Sequence, residues 1–105
     1  MRKRRIVFSD AAIVDILEQA DWYAAQSGQS LARRWEKAVT SVVSRVLQRP
    51  GEGAICSFRS ALIKDLRRIT ISGFPKHLLF YRFDAGEVFV LRVVHGARDL
   101  ERLFS

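Results

Sequence analysis

The chain has 105 residues, 49% of them hydrophobic, which is enough for one core and too little for two, so we predict a single domain over residues 1–105. Its 18 Lys and Arg against 11 Asp and Glu give a formal net charge of +7, which favours a polyanion or an acidic protein as partner without distinguishing between them. The single cysteine excludes an internal disulfide and the lack of an apolar run of about 20 residues excludes a transmembrane helix, so we expect a cytoplasmic protein with no membrane association.

Two amphipathic helices are predicted in the first half of the chain. A short β-prone run at 6–8 ends at Ser9, whose side chain is suited to cap a helix. Apolar residues then recur at three- and four-residue steps over 13–24. The same spacing resumes after Ser30, the predicted N-cap of a second helix, and ends at 49–51. A linker of about three residues predicts an antiparallel helix hairpin.

Three strands are predicted in the last third of the chain. The segments 66–71, 77–83 and 88–94 are rich in β-branched and aromatic residues and are separated by turn signals, which is typical of an antiparallel meander. Between 51 and about 64 the periodicity is lost, and a loop is predicted there. The predicted fold class is therefore α+β, with a short N-terminal strand, a helix hairpin packed on an antiparallel sheet, and a short C-terminal helix or tail.

Several short segments carry a resemblance to a known family. They are a Gly-Phe-Pro turn at 73–75, a Tyr-Arg pair at 81–82 and a His-Gly-Ala-Arg-Asp run at 95–99, in that order after the two helices. The sequence resembles the RelE/ParE toxin superfamily, and its ParE-like branch most of all. The resemblance implies the toxin of a type II toxin–antitoxin system, held in a hetero-oligomer by a ParD-like antitoxin. It also implies one of two targets: DNA gyrase for the ParE-like branch, or the ribosome and its mRNA for the RelE-like branch.

The two branches differ in the chemistry that they require. RelE-type mRNA cleavage needs side chains that activate a ribose hydroxyl, stabilise the phosphate and protonate the leaving oxygen. The candidate catalytic residues for this alternative are Arg68, Arg82, Arg92 and His95. The simpler explanation is a solvated strand position or an ion pair for the three arginines, and a hydrogen-bonded strand end for His95. Many RNA-cleaving relatives have a tyrosine close to the C-terminus, and this chain has none after Tyr81, which favours a ParE-like protein that binds its target and has no catalytic residue.

Two binding surfaces follow from that interpretation. The target is expected to contact a cationic rim formed by Arg92, His95, Arg98 and Arg102. The antitoxin is expected to be an amphipathic, acidic segment that contacts aromatic and apolar side chains. These side chains are Trp22, Trp35, Leu100, Leu103 and Phe104. For Trp35 and the last three residues of that set, packing in the core is the alternative.

Motifs for other chemistries are missing from the sequence. It has no Gly-rich phosphate loop, no metal-binding motif and no carboxylate pair at catalytic spacing, so neither a cofactor nor a metal is expected. A third hypothesis, beside the gyrase inhibitor and the mRNA endonuclease, is an inactive relative that only binds its antitoxin and regulates their operon.

Overall fold

The computed structural model of the protein describes residues 4–56, 65–96 and 100–104, without the side chain of Glu101. Its helices and strands follow the order strand, two helices, four strands, short helix. They are β1 (Arg5–Phe8), α1 (Asp10–Ser27), α2 (Gln29–Gln48), a single 3-10 turn (Pro50–Glu52), β2 (Ala54–Ile55), β3 (Arg67–Ile71), β4 (Phe74–Phe83), β5 (Glu87–His95) and α3 (Leu100–Leu103). In these residues no helix is both long and apolar enough to cross a membrane.

The strands of the described residues form one sheet in the order β1-β5-β4-β3-β2. The predicted meander is present, since β3, β4 and β5 pair antiparallel. The α+β prediction is confirmed, but the fully antiparallel sheet is wrong, because β1 pairs in parallel with β5, Arg5 lying opposite Glu87. Both helices and three strands separate these partners in sequence, so no tight turn forces them to run in opposite directions.

The segment predicted as a loop after α2 contains a short strand. Ala54 and Ile55 pair with Arg68 and Arg67 of β3. Two residues are too few to show a period in the sequence, which explains why β2 was missed. The rest of that predicted loop, 57–64, lies outside the described residues.

The ends of the two helices agree with the prediction at Ser9 and differ at Ser30. The Ser9 side chain accepts a hydrogen bond from the Ala12 N–H at 3.0 Å and donates one to the Leu91 carbonyl at 2.6 Å. The second helix begins directly after Gly28, whose φ of +87° lets the chain change direction within one residue. Ser30 therefore lies inside the first turn of α2, and its prediction as the N-cap is wrong.

The sheet is covered on both faces. Leu79 and Tyr81 of β4 pack under α1 and α2, whereas Phe80, which points to the opposite face, packs with Leu66 and Phe104. The α1 and α2 face contains the larger core. Its most deeply buried large side chains are Trp35, Tyr81, Ile71, Leu79, Val42, Val46, Val88 and Val90.

Tyr81 fixes the segment that follows α2. Its buried hydroxyl donates a hydrogen bond to the Pro50 carbonyl at 2.7 Å and accepts one from the Gly53 N–H at 2.9 Å. A Cβ at Gly53 would lie 2.5 Å from that hydroxyl, so the close approach requires glycine.

Candidate functional site

Helix α1 exposes an unusual amount of apolar surface. Val14 is 49% exposed, and Leu17 and Trp22 are each 56% exposed. Val14, Glu18 and Trp22 are spaced four residues apart and therefore lie in one row along the helix, which we call the α1 ridge. Helix α1 contains four acidic residues and neither Lys nor Arg, although the whole chain is strongly basic. The exposed face of α1 is therefore both apolar and acidic.

A groove of about 740 Å³ separates α1 from the ends of β4 and β5. Glu18 and Trp22 belong to its α1 wall. Its other wall contains Lys76, His77 and His95. The groove adjoins the exposed face of α1, and that combination makes it the candidate binding site.

An ion pair between Arg92 and Asp15 joins β5 to α1 beside the groove. The Arg92 guanidinium donates two hydrogen bonds to the Asp15 carboxylate, from Nε at 2.7 Å and from Nη2 at 2.8 Å. The same carboxylate accepts the Val93 N–H at 3.0 Å, on the part of β5 that extends beyond β1. Hydrogen bonding to Asp15 raises the pKa of Arg92. The expectation that Arg92 presents a free cation to a target is therefore corrected: its charge is satisfied by α1.

His77 is a site residue that the sequence analysis missed. It is buried, its ring lies 4.9 Å from that of Trp35 and 5.4 Å from that of His95, and His77 and His95 are opposite each other in the β4–β5 pair. Burial lowers the pKa of His77, and the charge of His95 lowers it further. A buried, neutral imidazole thus lines the groove beside the exposed His95.

The pKa of His77 predicts a pH dependence of stability. The unfolded chain protonates this histidine near pH 6.5, whereas the folded chain resists protonation, so the unfolded state binds more protons just below that pH. We expect the free energy of unfolding, measured by urea denaturation, to fall as the pH is lowered from about 7.5 to about 5.5. His77→Phe, which retains an aromatic ring and cannot titrate, should flatten this dependence. An equally steep dependence in that variant would contradict the assignment.

The four candidate catalytic residues do not share one site. Arg68 is opposite Phe80 in the strand pair, and Arg82 lies two residues from Phe80, so both point to the outer face of the sheet. The Arg82 guanidinium lies 5.3 Å from the centre of the Phe89 ring. Arg92 turns to α1 and His95 faces the groove on the helix side. The arrangement required for RNA cleavage, with these groups converging on one phosphate, is not present among them.

Two of the predicted antitoxin contacts need correction. Trp35 is completely buried between the helices and the sheet, where its indole N–H donates to the Ile16 carbonyl at 3.1 Å. Phe104 is buried against Phe80, with ring centres 4.9 Å apart. Burial removes both from the accessible surface, whereas Trp22 is exposed.

The remaining predicted residues lie at the C-terminal end. Leu100 and Leu103 of α3 are partly buried against the outer face of the sheet. Arg102 is exposed on the same short helix, and Arg98 lies outside the described residues. In the described part of the chain, no three His, Cys, Asp or Glu side chains are placed to bind a metal ion.

Comparison with known proteins identifies the family. The model for the ParE toxin of the type II toxin–antitoxin system, parDE, matches residues 6–100. The protein belongs to this ParE toxin family, and the predicted ParE-like branch is confirmed. A solved structure described as the chromosomal ParDE TA system from P. aeruginosa has a similar fold, with a TM-score of 0.70 and 18% sequence identity, over 89% of this chain and 96% of the other. No curated protein matches the sequence.

Proposed function

We propose that this ParE-family toxin inhibits DNA gyrase by binding it and is neutralised by a ParD-like antitoxin that docks on the α1 ridge. The dispersal of Arg68, Arg82, Arg92 and His95 over two faces of the sheet is the observation that carries the first half of this proposal. A protein that binds and traps its target requires no convergent catalytic groups, whereas a ribonuclease does. Such a toxin acts on gyrase in the cytoplasm.

The proposed target surface is the rim at the end of β5 and α3. His95 is exposed at the end of β5 and Arg102 is exposed on α3, and Arg98 falls between them in sequence. Arg92 is not included in this surface, because its guanidinium already pairs with the Asp15 carboxylate. The exposed arginine on α3, Arg102, supports electrostatic recognition of the target at this rim.

The proposal predicts inhibition of DNA supercoiling. Purified toxin added to gyrase, ATP and relaxed plasmid should leave the plasmid relaxed, and Arg102→Glu should raise the concentration required by about 10-fold, as for a central charge in an interface. The matched control is Arg33→Glu, which changes an exposed arginine on α2. Normal supercoiling at excess toxin would contradict gyrase as the target. Cleavage of ribosome-bound mRNA in a parallel assay would instead support the RelE-like alternative.

The antitoxin half of the proposal rests on exposed apolar surface. Val14, Leu17 and Trp22 each leave about half of the side chain exposed on α1, beside the exposed Glu18. Aromatic side chains contribute strongly to protein interfaces, so Trp22 is the expected anchor. The ParDE complex whose fold this chain shares supports a partner of the ParD type.

Removing the anchor should weaken the antitoxin complex without unfolding the toxin. We expect Trp22→Ala to raise the Kd for the ParD-like product of the adjacent reading frame by at least about 10-fold in titration calorimetry. Ile55→Ala is the matched control, because Ile55 is also an exposed apolar residue but lies on β2, away from α1. Equal effects of the two substitutions would exclude α1 as the docking surface.

A further inference from the structure

Glu18 lies on the α1 wall of the groove, four residues before Trp22. Its carboxylate makes no hydrogen bond or ion pair with any described residue. Asp15, one turn earlier, lines the same groove but is neutralised by Arg92. The α1 wall of the groove therefore offers one available negative charge beside one exposed indole.

The charge of this wall is opposite to that of the whole chain. The net charge of +7 predicts an acidic partner segment, but α1 contains Asp10, Asp15, Glu18 and Asp21 and has no basic residue. An acidic segment lying along α1 would meet like charges, which is unfavourable at an interface. A segment with apolar residues and a cationic side chain is the complementary partner for this face.

The geometry favours arginine over lysine. A guanidinium is planar, stacks on an indole and pairs with a carboxylate through two hydrogen bonds, whereas an ammonium is a compact and strongly hydrated charge. Glu18 and Trp22 are neighbours on one helix face, so one planar cation can contact both side chains. Lys76 lies on the opposite wall, and its positive charge repels a cation at the centre of the groove. A bound guanidinium is therefore expected on the α1 side.

We propose that the groove receives an arginine side chain of the antitoxin, whose guanidinium pairs with Glu18 and stacks on Trp22. The apolar residues of the same segment then contact Val14 at the other end of the α1 ridge. This inference rests on the proposed docking of the antitoxin on α1 and adds the chemical identity of the residue that the groove selects. The sequence predicted an acidic antitoxin segment. We infer instead that the antitoxin is basic where it contacts α1.

The arginine site is tested first without any antitoxin. N-acetyl-arginine amide titrated into ¹⁵N-labelled toxin should shift the Trp22 indole N–H saturably, and N-acetyl-citrulline amide, which has nearly the same shape without the charge, should not. Glu18→Gln should raise the Kd for the arginine probe by at least about 5-fold. Glu36→Gln, the same change at an exposed glutamate on α2, should leave that Kd unchanged. No saturable shift, or equal shifts with both probes, overturns the proposal.

A second experiment separates this inference from the docking proposal. In calorimetry with the ParD-like antitoxin, Glu18→Gln should weaken binding by about 5-fold or more, and Glu36→Gln on α2 should not. Loss of binding in Trp22→Ala with full binding in Glu18→Gln would retain α1 docking and overturn the arginine site. Antitoxin binding that is unaffected by either substitution would remove the docking surface itself, whatever the arginine probe shows.

Discussion

Replacing Trp35 by alanine is expected to lower the free energy of unfolding by about 3–5 kcal/mol, the cost of a large aromatic-to-alanine change in a core. Trp35 has no exposed surface and contacts the rings of Tyr23, Phe74 and His77. The substitution removes these contacts and leaves the Ile16 carbonyl without the indole N–H that it accepts. Urea denaturation monitored by far-UV circular dichroism measures the change.

The matched control is the other tryptophan. Because Trp22 is more than half exposed, Trp22→Ala should change the free energy of unfolding by no more than about 0.5 kcal/mol. The two substitutions thus separate stability from recognition: Trp35→Ala should destabilise the fold, and Trp22→Ala should impair antitoxin binding. A smaller loss of stability for Trp35→Ala than for Trp22→Ala would show that the helices pack on the sheet in another way.

Asp15→Asn should have the second largest effect, a loss of about 2–4 kcal/mol. The substitution leaves the partly buried Arg92 guanidinium without its counter-ion, and removing one partner of such a pair costs more than removing both. The estimate lies below that for a fully buried pair because Arg92 retains some exposure to solvent, which screens its charge.

A double-mutant cycle tests this interpretation. Asp15→Asn combined with Arg92→Met should be more stable than Asp15→Asn alone, because no uncompensated charge remains. Recovery should be partial, since the Val93 N–H also depends on the Asp15 carboxylate. Asp21→Asn, on the same helix, should be close to neutral. Additive losses in the double variant would contradict a specific Asp15–Arg92 interaction.

Local patterns in the sequence predicted most of the elements and failed where distant segments meet. The periodicity from Ile13 to Ala24 and the β-rich segments after Leu66 predicted α1 and the three-stranded meander, because each depends on neighbours close in sequence. The parallel partner of β1 is about 80 residues away, and no local pattern encodes it. For the same reason the sequence did not predict that Arg92 of β5 pairs with Asp15 of α1.

A β-bulge explains why His77 was missed. The turn at 84–86 sets Phe83 opposite Val88, and continuing that register without interruption would place Val94 opposite His77. The register shifts by one residue between Phe80 and Tyr81, so His95 takes that place instead. No sequence pattern predicts the bulge, so the pairing of His77 with His95 could be found only in the folded structure.

The pairing of β1 with β5 sets an order for events during translation. Arg5 has no strand partner until Glu87 has left the ribosome, and closing so long a loop is slow compared with forming helices and their local contacts. The acidic, apolar side of α1 is thus synthesised well before the rim that we assign to the target. The helix on which we propose that the antitoxin docks therefore leaves the ribosome before the strand and short helix to which we assign the target.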